Sequence, residues 1–575
     1  MNSQHVAELL SNIAELLEIK GENPFKSRAY QAAAKAVGNL EENIGDVISA
    51  GRLEEVKGIG KAIAATILEY AASGQSSYYE ELRASIPPAI FELIRIPGLG
   101  PKKASILHEK LGIHSVGELE YACRENRLSE LPGFGEKTQQ KILQGIEYVK
   151  KYQGQFLLVD TWPVAEKIAE YLAAHEAIAK AQTAGGVRRR NEIVKEIDIV
   201  AQAIDRTKAG QAVLEMPGVS QVLEQGNEAV RVVLDTGMQL NVHLADQERF
   251  AWTLFMQTGS AAHRSVIDRL AQERGVSFSS HDTETNGHSQ AMPQREQEIY
   301  SRLGLVYIEP ELREGLGEVE AAAANRLPAL VTEDDIQGAF HMHTRYSDGS
   351  DSIEEMMAAA QERGWQYIGI ADHSQTAVYA KGLKPDRILE QRREIEAINA
   401  RNSSFRIFTG IECDILPDGS LDYPDEILAE FDFVVASVHS AFRQSEAEKT
   451  RRMIRAMENP YVTMLGHMTG RILLAREGYA VDAAAVIRAA AETGTILEIN
   501  ASPYRLDVDW RWHRQAQELG VMFAINPDAH AADELGYMRY GTAMARKGGL
   551  CAADVLNTRT LSEVITLLQA KRSRR

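Results

Sequence analysis

Ala339-Phe-His-Met-His343 and Tyr367-Ile-Gly-Ile-Ala-Asp-His373 are two short apolar runs, each ending on histidine, with a helical pattern from Ile353 to Arg363 between them. Apolar runs of this length read as buried strands, and strands alternating with helices read as β/α units of a parallel sheet. The alternation continues through Ile407-Phe-Thr-Gly-Ile-Glu412, Phe433-Val-Val-Ala-Ser-Val-His439, Val462-Thr-Met-Leu-Gly-His467, Thr495-Ile-Leu-Glu-Ile-Asn500 and Met522-Phe-Ala-Ile-Asn-Pro-Asp-Ala-His530, with a further helix from Ala483 to Glu492. Seven candidate strands therefore follow Gln337, and six of the seven end on histidine or a carboxylate.

In a β/α barrel the carboxyl ends of all strands converge on one face, where active sites of such barrels sit. His341 and His343 are two apart on a strand, so both imidazoles should leave the same face and share one metal; Asp528 and His530 repeat that spacing. An imidazole and carboxylate set without thiolates suits zinc, manganese or iron, and several cations held close together suit in-line attack on phosphorus. A lone histidine would be an ordinary core or surface residue. A histidine or carboxylate at almost every strand end is not.

The strings His341-Met-His-Thr-Arg-Tyr-Ser-Asp-Gly349, Ala371-Asp-His-Ser374, Ser437-Val-His-Ser440, Gly466-His-Met-Thr-Gly-Arg471 and Asp528-Ala-His530 resemble the PHP (polymerase and histidinol phosphatase) superfamily. The resemblance implies a distorted (β/α)7 barrel with three divalent cations, Mn2+ or Zn2+, held by nine ligands. These fall on His341, His343, Asp348, His373, Glu412, His439, His467, Asp528 and His530, with Glu412 as a bridge. Arg471 is a candidate for bidentate contact with phosphate and Asn500 for a contact at the same site, while Asp372 would orient a ligand histidine.

Upstream, from Val6 to about Tyr152, apolar residues recur three and four apart, an all-α pattern. Three turns there carry Gly-apolar-Gly and then open a helix: Val56-Lys-Gly-Ile-Gly-Lys61, Ile96-Pro-Gly-Leu-Gly-Pro-Lys102 and Leu131-Pro-Gly-Phe-Gly-Glu-Lys137. Such turns expose backbone N–H groups at a helix amino terminus, which grips phosphate without reading sequence. One such turn is equally a plain helical hairpin, since tight loops need glycine. Three together resemble helix-hairpin-helix motifs, so Gly58, Gly60, Gly98, Gly100, Gly133 and Gly135 are DNA-backbone candidates, with Lys57, Lys61, Lys102, Lys103, Lys137 and Lys141 as local cations.

The segment Asn23-Pro-Phe-Lys-Ser-Arg-Ala-Tyr30 resembles the single-strand and 5′-phosphate contact of family X DNA polymerases, through Lys26, Arg28 and Tyr30. The lysine that forms the Schiff base in lyase members of that family falls on Thr66, which has no amine. From Phe156 to Leu244 strands and helices alternate again, and Ala184-Gly-Gly-Val-Arg-Arg-Arg-Asn-Glu-Ile-Val-Lys-Glu-Ile-Asp198 is similar to the family X nucleotidyltransferase signature. The resemblance assigns Gly186, Arg188 and Arg189 to the nucleotide phosphates and Glu196, Asp198 and Asn241 to the carboxylate trio, with Thr258-Gly-Ser260 as the nucleotide-side turn. Gly186 stands where the family has serine, Lys195-Glu196 replace Gly-Asp, and Asn241 is neutral. Two-cation phosphoryl transfer needs anionic oxygens, so Mg2+ at this palm is doubtful and polymerase activity should be weak or lost.

At 575 residues the chain exceeds a single hydrophobic core, which stops growing near ~250 to 300 residues. The expected order is a helical DNA-binding domain (1–75), a helical fingers-like domain (76–153), a palm (154–245), a thumb-like domain (246–309), a linker rich in glycine, proline and alanine (310–336) and the PHP barrel (337–575). The first residues lack a secretory pattern and no apolar run approaches the ~18 needed to span a membrane, which predicts a cytoplasmic protein. Cys123, Cys413 and Cys551 are scattered, with no thiolate zinc spacing. A net charge of −18 repels nucleic acid at long range, so DNA binding must rest on backbone donors, local lysines or bound cations.

In this order the domains resemble bacterial family X DNA polymerases with a carboxyl-terminal PHP domain. That resemblance implies a manganese-dependent 3′→5′ exonuclease serving DNA repair, acting on gapped DNA or free 3′ ends, beside a degenerate polymerase site that could still meet dNTP. The alternatives are a small-molecule phosphatase of the histidinol-phosphatase type and a non-enzymatic DNA-end scaffold.

Overall fold

The computed structural model describes residues 3–573 except 23, 39, 41–43, 125, 126, 132, 153, 277 and 279–291, so Asn23 and Pro132 of the motifs above lie outside the described residues. The chain forms two compact units, Met1–Gln153 and Gly154–Arg575. No described helix is long and apolar enough to cross a membrane.

The first unit is all-α. Helices Lys61–Ser73, Pro101–Leu111 and Glu136–Tyr152 each follow one Gly-apolar-Gly turn. The middle residue anchors the turn: Ile59, Leu99 and Phe134 are 3%, 2% and 1% exposed and share a core with Leu10, Leu17, Ile67 and Leu107. Burying such a side chain contributes about 1.5–3 kcal/mol, enough to fix each turn while its flanking glycines face solvent.

The second unit begins with a two-stranded ribbon, β1 (Phe156–Leu157) with β3 (Ile193–Val194), and a five-stranded sheet made of β2 (Ile178–Ala184), β4 (Glu196–Ala203), β5 (Val219–Gln225), β6 (Ala229–Leu234) and β7 (Gln239–Ala245). The sheet order is β2-β4-β7-β6-β5, with β4 and β7 parallel and the other pairs antiparallel. Helices Phe250–Thr258, Ala261–Arg274 and Glu296–Arg302 follow, around a core of Phe255, Ile267, Ile299 and Tyr300.

The barrel uses β8 (Gly338–Met342), β9 (Tyr367–Ile370), β10 (Arg406–Asp414), β11 (Phe433–Ser437), β12 (Met464–Leu465), β13 (Ile496–Asn500) and β14 (Phe523–Asn526). They form one parallel sheet in sequence order. Its edges meet at a parallel bridge between Met342 and Ala529, where the His343 N–H donates to the Ala529 carbonyl at 2.8 Å, so the barrel nearly closes. Phe340, Tyr367, Phe408 and Phe433 cluster inside the barrel. Gly369 and Gly410 make room for them, since an added Cβ would lie 2.3 Å from a Phe340 ring carbon and 2.2 Å from a Phe433 ring carbon.

Residues 310–336 are not the bare linker that their glycine and proline content suggests. They contain helix Glu318–Ala323, and Arg313 is fully buried against Glu296 at 2.5 Å. The same segment pairs Glu311 with Arg546 and Glu314 with Lys547, and the Val331 N–H donates to the Leu550 carbonyl. It is a packed strap tying thumb to barrel. Buried charges persist only when paired, and these pairs are what hold the strap down.

Candidate metal centre

The carboxyl ends of the barrel strands bring all nine expected ligands together. They form four overlapping groups, His343/Asp348/His373/His530, His341/Glu412/His467, His341/His343/Asp528 and His373/Glu412/His439, within each of which the ligand atoms lie within 4.8 Å of one another. Glu412 is central. Its Oε1 is 2.9 Å from His467 Nε2, 3.2 Å from His439 Nε2 and 3.3 Å from His341 Nε2, and its Oε2 is 2.8 Å from His373 Nδ1. Asp348 and His530, about one-third exposed, form the open side, 3.5 Å apart.

The convergence of His341 and His343 does not come from simple strand alternation. A register shift between Ala339 and Met342 breaks the pleat of β8, and His341 takes φ 57, as Asp528 takes φ 52 beyond β14. Positive φ at non-glycine residues costs about 1–3 kcal/mol and clusters at functional sites. Here it turns both side chains inward.

Behind the ligands stand carboxylates that no strand-end count finds. Glu498, fully buried within β13, accepts His341 Nδ1 at 2.5 Å and the His467 N–H at 2.7 Å, and it also holds Asn526 and Asn500. Asp414, two residues after Glu412, accepts His439 Nδ1 at 2.5 Å. Each fixes a tautomer so that Nε2 faces Glu412. The available signal was a carboxylate inside an apolar strand, which is rarely buried unless paired.

Several buried atoms at this centre form no hydrogen bond: His341 Nε2, His343 Nδ1, and the pair His373 Nδ1 and Glu412 Oε2, which stand 2.8 Å apart without hydrogen-bond geometry. Orphaned imidazole and carboxylate atoms around one centre are the donor set of a divalent-cation site. The electrostatics agree. Burial would lower His373, but Glu412 and Asp348 push it up to about 10; burial alone likewise opposes His439, which Glu412 and Asp414 raise to about 9. Burial would raise Glu412, yet His439, His341 and His373 hold it well below the carboxylate range. His343 is pushed down to about 3 by burial and then by His530 and His373, which keeps its imidazole neutral.

The remaining candidates fall differently. Among the described residues the Asp372 carboxylate hydrogen-bonds no histidine; it accepts from Thr344 N–H and Oγ1, from Gln391 and from Ser347, and thereby holds the loop that carries Asp348. Arg471 is turned away from the ligands, bound to the Arg505 carbonyl (2.8 Å), the Leu506 carbonyl, Asp509 (2.8 Å) and palm residue Glu192 (3.5 Å). The guanidinium beside the ligands is Arg505, 3.6 Å from Asp528. Asn500 donates to Asp528 at 3.0 Å and to Glu498 at 3.1 Å, and so orients a ligand carboxylate.

In the palm, pairing of β4 with β7 sets Asp198 opposite Asn241, and the Asn241 amide donates to Glu196 at 2.9 Å and Asp198 at 3.0 Å. Gly186 sits in a short helical turn, Gly185–Arg188. Arg188 and Arg189 are engaged by Glu296 and Glu314.

In the first unit, Gly58, Gly98 and Gly133 have φ of 101, 83 and 86, which lets each chain reverse ahead of its helix. Gly60 and Gly100 are N-caps without a side-chain cap, and an added Cβ at Gly60, Gly100 or Gly135 would meet nothing within 4 Å. The space around these glycines is open, with Lys61, Lys102 and Lys137 exposed beside them. Lys26 and Arg28 are exposed, but Tyr30 is buried, stacked on Tyr78 and 3.5 Å from the Thr66 hydroxyl, so its role is in the core.

Comparison with known proteins follows the same division. Family models match as a Helix-hairpin-helix domain over residues 1–76, a SAM-like Helix-hairpin-helix tandem over 90–147, a DNA polymerase beta thumb over 253–314 and a PHP domain over 339–502. The chain is 38% identical over 573 residues to the DNA polymerase/3'-5' exonuclease PolX of Bacillus subtilis, covering 99% of this chain and 100% of that protein. It is also 29% identical over 229 residues to a probable phosphatase of Thermoanaerobacter sp. (strain X514), covering 38% of this chain and 89% of that one.

Proposed function

The chain belongs to the family X DNA polymerases that carry a PHP domain, and on that premise we propose that it is a DNA-repair nuclease whose barrel removes nucleotides from 3′ ends while its palm extends them poorly or not at all. The single observation that carries this is the contrast between nine converging ligands in the barrel and a neutral amide within the palm trio.

Three cations, Mn2+ or Zn2+, would be held by His341, His343, Asp348, His373, Glu412, His439, His467, Asp528 and His530, with Glu412 shared. When bound, such cations acidify water and neutralise phosphate oxygens. The side chains around them do the positioning. Glu498 and Asp414 keep His341 and His439 in one tautomer, Asp372 holds the Asp348 loop, Asn500 orients Asp528, and Arg505 offers a cation for a phosphate oxygen in place of Arg471. The helix-hairpin-helix turns hold the backbone of gapped or 3′-ended DNA through N–H groups and lysines, which suits an acidic protein that cannot attract DNA by net charge.

Purified protein with Mn2+ should shorten a 5′-labelled strand from its 3′ end, and His341→Ala should reduce this to background. Undiminished shortening by the variant would refute the assignment. The matched probable phosphatase favours a second reading, hydrolysis of small phosphomonoesters. Turnover of a free phosphomonoester far above that of oligonucleotide would select it.

A further inference from the structure

The nucleotidyltransferase fold implies a divalent cation between palm carboxylates, and the residues present do not fit one. Asn241 Nδ2 has two hydrogens, and both are spent, one on Glu196 Oε2 at 2.9 Å and one on Asp198 Oδ1 at 3.0 Å. Its Oδ1 accepts Gln239 Nε2 at 2.8 Å, which fixes which end of the amide faces the carboxylates. His243 Nε2 stands 3.5 Å from the same Asp198 oxygen. The other Asp198 oxygen lies against Gly185, where an added Cβ would be 2.0 Å away.

The same substitution of an internal partner for a ligand recurs at the arginine pair that the family resemblance assigns to nucleotide phosphates. Arg188 donates to Glu296 at 2.6 Å and to the Thr258 hydroxyl at 2.7 Å. Arg189 donates to Glu314 at 3.0 Å and to the Thr258 carbonyl at 2.6 Å. Glu296 is shared with buried Arg313 and Glu314 with buried Lys547, so neither carboxylate can leave without stranding a second buried cation.

Taken together, these contacts lead us to infer that the palm is a self-occupied site: the Asn241 amide fills the seat of the cation, and Glu296 and Glu314 fill the seats of the nucleotide phosphates on Arg188 and Arg189. This deepens the nuclease assignment, on which it rests for the idea that the palm has lost transfer chemistry. The palm and thumb are then held together by the protein's own charges and need neither divalent cation nor nucleotide to adopt their arrangement. A carboxylate at position 241 would place a third negative charge among Glu196 and Asp198, which is stable only with a cation between them.

The test uses full-length protein whose barrel has first been saturated with Mn2+, titrated with Mg2+ and with Mg2+ plus dATP, and read by calorimetry and thermal unfolding. Wild type should give no binding heat and an unchanged Tm. Asn241→Asp should melt lower than wild type without Mg2+ and regain its Tm with it. Asn241→Ala, which removes the amide without adding charge, should give Mg2+ binding heat even if the aspartate variant folds poorly. Mg2+ or nucleotide binding by wild type, or no Mg2+ binding by either variant, would overturn the inference. Neither readout depends on hydrolysis at the barrel, which His341→Ala tests separately.

Discussion

Replacing Glu498 by glutamine keeps its shape but removes the charge that meets His341 Nδ1 at 2.5 Å, and Asp414→Asn does the same beneath His439. Each substitution should lower Mn2+ affinity or the hydrolysis rate about 10- to 100-fold without unfolding the barrel. Titrating activity against Mn2+ at fixed DNA checks this, and unchanged titrations would remove both residues from the site. Eight of the nine candidate ligands stand at or beside predicted strand ends, which a parallel barrel gathers on one face, whereas Asp348, on the loop after β8, was named only by the family resemblance. Glu498 could not be read from the sequence, because it sits inside β13 where spacing marks nothing, and Asp414 could not, because the apolar run ends at Glu412 while β10 continues two residues further. Arg471 and Arg505 show the limit from the other side: they lie on loops beyond the neighbouring strands β12 and β13, and only the carbonyls of Arg505 and Leu506 closing around Arg471 decide which one is left beside Asp528.

At the scale of elements, the three glycine turns were legible because only glycine takes φ near +90 cheaply and because a buried apolar residue separates each pair. Gly98→Val should cost about 1–2 kcal/mol in the first unit through its left-handed backbone. Lys102→Ala should weaken DNA binding evenly across sequences and lower its salt slope by about 1. Anisotropy at several salt concentrations reads the second effect, while hydrolysis of a small phosphodiester should stay unchanged; an unaltered salt slope would take that turn out of the DNA interface. The strap at 310–336 was not legible, since glycine, proline and alanine mark an exposed connection in any composition rule. What buries it is the long-range pairing of Arg313 with Glu296 and of Glu314 with Lys547. The bulge in β8 escaped for a similar reason, because it answers the contact between β8 and β14 and no local residue preference.

For the molecule as a whole, two pH effects follow from its charges. Burial alone would raise Glu296, but Arg313 and then Arg188 outweigh it and hold the carboxyl below its ordinary value. A folded-state pKa below the unfolded one gives stability that is present above the unfolded value, about 4.3, and is lost as pH falls through the folded one. Acid unfolding of the second unit should therefore be blunted in Glu296→Gln, measured as Tm against pH below about 5. At the barrel the sign is opposite. His373 and His439, raised to about 10 and about 9, carry protons at pH 8 in the cation-free protein and must release them to become ligands. Adding Mn2+ to weakly buffered apoprotein at pH 8 should acidify the solution and raise Tm, and a chelator should reverse both.

On the proposed function the barrel hydrolyses DNA and the palm extends it poorly or not at all. Gapped DNA carrying a 5′-labelled primer, incubated with Mn2+ with and without dNTPs and resolved on one gel, tests this most directly. The expected result is stepwise shortening in both lanes, lost in His341→Ala, with little or no extension. Efficient dNTP-dependent extension that disappears in Asp198→Ala, or shortening that survives His341→Ala, would contradict it.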